Sequence, residues 1–232
     1  MIPIPWLSDR DPFPPVEQAL TYPNGLLAAG ADLSIERLLD AYRCGIFPWF
    51  SEDDPLLWWS PDPRMVLMVD ELHVSRSLHR VMRSGRYRIT FDTAFADVMA
   101  GCAEPRREDA GTWITSAMVE AYTRLASLGF AHSVEAWADG QLAGGLYGVA
   151  IGRMFYGESM FSRQTDASKV ALATLVQQLE RWGFEMVDCQ MATEHLASLG
   201  ARQIPRPEFV KRLRRLAQQP AVTSPWTLDA DR

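Results

Sequence analysis

Ten of the fifteen prolines and four of the eight tryptophans lie in the first 63 residues, and no other feature limits the fold as strongly. Proline fixes φ, removes a backbone donor and restrains the residue before it, so this stretch reads as compact and turn-rich, with little regular structure. One helix is legible inside it. Ser34 is placed to cap it, Leu38, Leu39 and Tyr42 give it an apolar face, and Gly45 stands where a left-handed residue stops a helix. The run Trp58-Trp59-Ser60-Pro61-Asp62-Pro63 forbids helix and marks a boundary, which divides the chain into a small Pro- and Trp-rich N-terminal domain, 1–63, and a main domain, 64–232.

Composition removes several classes. At 232 residues, 47% apolar and 22% charged, the chain is long enough to bury a sizeable core, and neither disorder nor a collagen-like repeat fits. The longest uncharged apolar stretch, 141–152, is shorter than the roughly 18 to 20 residues of a membrane helix, and the N-terminus carries neither a basic nor an apolar leader. A soluble, cytoplasmic protein is expected. Cys44, Cys102 and Cys189 are widely spaced and odd in number, which predicts reduced thiols and no structural metal. The net charge of −6 is uneven: ten acids against three arginines in residues 1–63 leave the remainder at +1. Within that remainder, residues 73–88 hold five arginines and two histidines without an acid, a place where a polyanion can be held.

Beyond the basic run, helical spacing covers 92–102 and 115–128, the second stopped by Gly129. Asp139-Gly140 and Ile151-Gly152-Arg153 are turn signals between runs rich in Val, Ile, Leu, Tyr and Phe, which predicts three antiparallel strands within 132–161. Helical spacing returns over 166–182 and ends at Gly183. A strand at 184–190, a short helix at 195–200 and a last strand at 201–204 follow. This order predicts an α+β domain whose central mixed sheet is flanked by helices and carries a site at its strand ends.

Several polar residues interrupt apolar surroundings. Alternation along 184–190 places Asp188 and Gln190 on one face, either as an oriented hydrogen-bonding pair or with Asp188 serving the turn. Glu158 sits among aromatic residues and methionines, so it needs a partner: Arg153, Arg163 or a cation brought by a ligand. Arg76, Arg80 and Arg83 recur at i, i+4, i+7, one helix face, suited either to a phosphate backbone or to solvent. Arg206, Lys211, Arg212, Arg214 and Arg215 read as an ordinary exposed helix face. Trp49 and Trp113 stand in turn-like contexts, where an indole either stacks on a base or packs in the core.

Five blocks occur in order: Gly45-Ile46-Phe47-Pro48-Trp49-Phe50, Trp58-Trp59-Ser60-Pro61-Asp62-Pro63-Arg64, Gly111-Thr112-Trp113-Ile114-Thr115, Gly157-Glu158-Ser159-Met160-Phe161-Ser162 and Val187-Asp188-Cys189-Gln190. With them the chain, from Pro23 to about Val210, resembles the bacterial leucyl/phenylalanyl-tRNA-protein transferases. The resemblance implies an N-acetyltransferase-like (GNAT) fold after the N-terminal domain, and transfer of Leu or Phe, less well Met, from aminoacyl-tRNA to proteins beginning with Arg or Lys, marking them for degradation. It implies Glu158, Asp188 and Gln190 at the catalytic centre, Trp49 and Trp113 by the terminal adenosine, and Arg76, Arg80 and Arg83 on a tRNA-binding patch. It implies an apolar side-chain pocket of Leu146, Phe155, Met160, Leu175 and Val187. A monomer without cofactor is expected. Coenzyme A chemistry on this fold uses a glycine-rich turn before a helix, and 162–169 has no glycine. A coenzyme A-dependent N-acyltransferase and a non-catalytic binder of tRNA ends or peptide N-termini are the alternatives.

Overall fold

The computed structural model describes residues 4–104 and 114–229. Its first sheet is small, as the prolines require. It contains β1 (Trp6–Leu7), β2 (Leu26–Gly30), β3 (Phe47–Pro48) and β4 (Leu57–Trp59) in the order β1-β2-β4-β3. Helix α1 (Ile35–Cys44) is bounded as its sequence signals predict: the Ser34 side chain accepts from the Arg37 backbone N–H, and Gly45 takes φ 78°.

The main sheet has seven strands: β5 (Arg64–Met68), β6 (Arg88–Phe91), β7 (Ala131–Ala138), β8 (Gln141–Ile151), β9 (Met154–Ser162), β10 (Met186–Gln190) and β11 (Arg202–Ile204). Their order is β11-β5-β10-β9-β8-β7-β6. Strands β6 to β9 form an antiparallel meander, with the left-handed pair Asp139 (φ 50°) and Gly140 (φ 75°) closing the β7–β8 hairpin. Helix α5 (Ala167–Arg181) then crosses to β10, which is parallel to β9. A meander, a crossover helix and a parallel fifth strand form the α+β arrangement that the resemblance implies.

The sheet separates two cores. On one face Tyr147, Tyr156 and Val66 pack with α1, α3 (Phe95–Ala103), α4 (Ser116–Ser127), α7 (Arg206–Leu216) and Leu27, Phe47 and Trp58 of the first sheet. On the other face Leu67, Leu146, Phe155 and Val187 pack under α5, with Leu78 of α2 (Arg76–Arg83) and Trp226. The short α6 (Glu194–Ser198) follows β10. Among the described residues no helix is long and apolar enough to cross a membrane.

The helical spacing of Arg76, Arg80 and Arg83 holds, since α2 spans all three, and β6 pairs with β7 from Arg88 onward. Two readings need correction. The helix read from Asp92 begins at Phe95, because Asp92 is left-handed (φ 53°) and accepts from the backbone N–H groups of Ser133 and Trp226. Arg206 is no surface residue of an exposed face. It is 11% exposed and donates to the Ser60 carbonyl at 2.6 Å, whereas Arg212 and Arg215 pair with Glu208 and Glu185.

Candidate active site

Strands β9 and β10 run in register through Met154–Met186, Phe155–Val187 and Tyr156–Asp188, and beyond that point they part. Each carries an extra residue there. Tyr147 and Gly148 of β8 oppose Ser159 and Gly157, leaving Glu158 as the unpaired residue of β9. Val66 and Met65 of β5 oppose Asp188 and Gln190, leaving Cys189 unpaired in β10. A bulge re-aims the side chains around it. Two neighbouring bulges turn Glu158 and Gln190 toward each other, and the Gln190 Nε2 donates to Glu158 Oε1 at 2.9 Å.

This revises the expected relation between Asp188 and Gln190. Simple alternation would put both side chains on one face. The bulge instead leaves Asp188 fully buried, bound by Arg64 through Nε at 2.8 Å and Nη2 at 2.7 Å. Asp188 still steadies its neighbour, but through the backbone: its Oδ1 accepts the Gln190 N–H at 2.9 Å, fixing a residue at φ 63°. Sequence reasoning gave Arg64 no role. Its third contact is the Gly45 carbonyl at 3.1 Å, and its guanidinium lies between the rings of Phe47 and Phe209 at 4.7 and 4.6 Å. The signal was an arginine opening a strand of otherwise apolar residues.

Neither Arg153 nor Arg163 partners Glu158. Arg163 pairs with Glu104, and Arg153 lies over Phe184. Glu158 Oε2 accepts from the Tyr122 hydroxyl at 3.1 Å, and Tyr122 in turn shares a hydrogen bond with Tyr42. Burial pushes the Glu158 carboxyl up to about 7; the tyrosine hydroxyls and the Gln190 amide pull it down, and the charge of Asp188 adds to the rise. Burial, then the charge of Glu158, pushes Tyr42 and Tyr122 well above the usual phenol range, so both remain neutral donors. Cys189 is pushed up by its own burial and is no thiolate nucleophile at neutral pH.

Glu158 and Gln190 stand in the wall of a cavity of about 360 Å³, lined also by Trp49, Leu146, Phe155, Met160 and Val187. Trp49 is 37% exposed, and its carbonyl accepts from Trp59 Nε1 at 2.6 Å. Leu175 does not line the cavity. It is fully buried on α5, and Leu172, one turn earlier on the same helix face, reaches the wall instead. Phe47 of the Gly45–Phe50 block also lines it, as do Leu196 and His195, which no sequence pattern singled out. Burial lowers the His195 imidazole, and the charge of Lys169 lowers it further. Trp113 lies outside the described residues. Arg76, Arg80 and Arg83 border a separate shallow depression with His79 and Ser84.

An apolar pocket at parting parallel strands, rimmed by a carboxylate–amide pair, offers an apolar group a seat beside polar atoms that can orient a reactant. The particular family follows from comparison. Residues 66–214 match the family model "Leucyl/phenylalanyl-tRNA protein transferase", and residues 31–62 match its N-terminal domain model. A leucyl/phenylalanyl-tRNA-protein transferase of Nitrosospira multiformis is 61% identical over 226 residues, 97% of each chain. One of Stutzerimonas stutzeri is 62% identical over 218 residues, 94% of this chain and 96% of the relative. The chain belongs to this transferase family. Solved structures resemble it loosely: a GCN5-related N-acetyltransferase from Kribbella flavida has TM-score 0.39 and 11% identity over 71% of this chain and 59% of the other. A ribosomal-protein-alanine N-acetyltransferase from Brucella melitensis has TM-score 0.36 and 15% identity over 63% and 97%.

Proposed function

We propose that this enzyme transfers Leu or Phe, and Met less well, from aminoacyl-tRNA to the free N-terminus of proteins that begin with Arg or Lys, creating a degradation signal, and that it works as a cytoplasmic monomer. The observation that carries the reading is the Gln190–Glu158 bond set in the wall of an apolar cavity. The cavity suits the side chain of the donor amino acid, with Trp49 at its border for the terminal adenosine and the α2 arginines for the tRNA body.

The donor is an activated ester and the acceptor an α-amine of reference pKa about 7.7 to 8.0, so part of the amine is neutral near pH 7. Holding amine and ester in attack geometry contributes more than a general base does. Because its amide nitrogen is committed to Glu158, Gln190 has its carbonyl oxygen to accept a hydrogen bond from the incoming amine. Asp188, anchored by Arg64, fixes the backbone of Gln190 and acts as a positioning residue. Glu158, carrying a charge as its carboxyl ionises, meets the cationic first residue of the acceptor or its amine.

Mixing the protein with Leu-tRNA or with acetyl-coenzyme A and an Arg-initiated peptide tests this by product mass. The expected product is the peptide extended by one leucyl residue. An acetylated peptide would instead identify a coenzyme A acyltransferase, and binding without product would identify a non-catalytic binder.

A further inference from the structure

We propose that Arg86, Lys169 and His195 form a guide that carries the single-stranded 3′ end of the donor nucleic acid from the α2 patch to the cavity. The proposal rests on the aminoacyl-tRNA reading above and assigns a path that the reading leaves open.

The path follows two side-chain contacts, then the start of α5 and the cavity wall. After Arg83, Gly85 (φ 69°) turns the chain, and Arg86 emerges exposed, with its guanidinium over the Tyr87 ring at 5.1 Å. Arg86 Nη2 reaches Gln164 Oε1 at 3.4 Å, and the Tyr87 hydroxyl donates to the Thr165 carbonyl at 2.7 Å. The end of α2 is thereby tied to the loop that opens α5. Lys169 stands in the first turn of that helix, and Leu172, three residues on, already lines the cavity. On α6, His195 lines the same cavity within reach of the Lys169 charge.

Charge sets the direction. Among the described residues no acid pairs with Arg76, Arg80, Arg83 or Arg86. Asp70 and Glu180 border a different depression beside His73 and His79, so a polyanion is disfavoured there. Lys169 holds Asp166 at 3.0 Å while 40% exposed, and an exposed pair of this kind is weak enough to yield to a phosphate. A cavity of about 360 Å³ takes the end of a single strand and is far too small for a duplex.

Donors of graded length test the guide. Leucyl-adenosine has no phosphate, leucyl-CCA trinucleotide has only those of the single strand, and Leu-tRNA adds the duplex. The double variant Arg86→Ala/Lys169→Ala is expected to use leucyl-adenosine like the wild type and to lose several-fold in kcat/KM with both longer donors. Its salt dependence with the trinucleotide should flatten by about 0.7 for each phosphate that is no longer neutralised. The triple variant Arg76→Ala/Arg80→Ala/Arg83→Ala should lose only with Leu-tRNA. Undiminished use of the trinucleotide by the double variant overturns the guide, as does an equal loss with leucyl-adenosine. A wild type inactive with all three donors overturns the transferase reading itself, and the guide with it.

Discussion

At the scale of single residues, Glu158 has two properties that separate experimentally. Its folded carboxyl is raised to about 7 from an ordinary 4.5, so the folded chain keeps a proton that the unfolded chain releases. Stability contributed by this group is therefore full below about 4.5, falls as pH rises toward 7, and stays lower above it, by about 3 kcal/mol. Urea unfolding of Glu158→Gln across pH 4 to 8 should show that loss removed. In catalysis the same substitution keeps shape but not charge. It should depress kcat/KM for Arg- and Lys-initiated peptides strongly, narrow their advantage over uncharged N-termini, and leave binding of a non-hydrolysable aminoacyl-adenosine nearly intact. Asp188→Asn acts through the Gln190 backbone, so it should slow all acceptors by a similar factor. Arg64→Met leaves Asp188 buried without its cation and should cost about 3 to 5 kcal/mol in denaturant unfolding.

Among the elements, β8 and β9 are packed without slack around the bulge. A Cβ on Gly148 would lie 2.2 Å from the Tyr156 carbonyl oxygen and 2.5 Å from the Phe155 ring. Gly148→Ala should therefore lower stability by more than about 2 kcal/mol and reduce transfer from every donor, as the Glu158–Gln190 bond is displaced. The same strands show what sequence patterns carry. Helices with local signals were legible: Ser34 and Gly45 bound α1, and Gly129 and Gly183 follow α4 and α5. Three strands of the meander, β7 to β9, were legible from their turns, and β6 was not. Strand β5 was not, because Met65 and Leu67 enter one core while Val66 and Met68 enter the other, which erases alternation, and its partners lie more than a hundred residues away. The bulges were equally hidden. Glu158 and Gln190 were legible as polar intrusions, but a residue that slips a register by one has no signature of its own, so neither their mutual bond nor the Tyr122 contact was readable. One face of α5 holds both Leu172 and Leu175, and only packing selects Leu172 as the one that meets the cavity.

In the whole molecule, Trp226 and the first sheet both pack into the cores that flank the main sheet. Trp226 stacks on His132 at 3.6 Å, and its backbone N–H donates to the Asp92 carboxylate that His132 also contacts. Trp226→Ala should cost about 3 to 5 kcal/mol, measured by thermal or urea unfolding, although residue 226 is far from the cavity in sequence. From the first sheet, Phe47, Trp58 and Leu27 share one core with Tyr156, Phe209 and Val66, and Arg64 joins the Gly45 carbonyl to Asp188. That shared core bears on how such chains can be recombined. A hybrid that takes residues 1–63 from one relative and the remainder from another inherits two half-cores shaped for different counterparts. It should keep its activity only where the residues facing Phe209 and the Arg64 guanidinium are matched, so the position near residue 63 where the sequence suggests a boundary is a poor place to cut and splice.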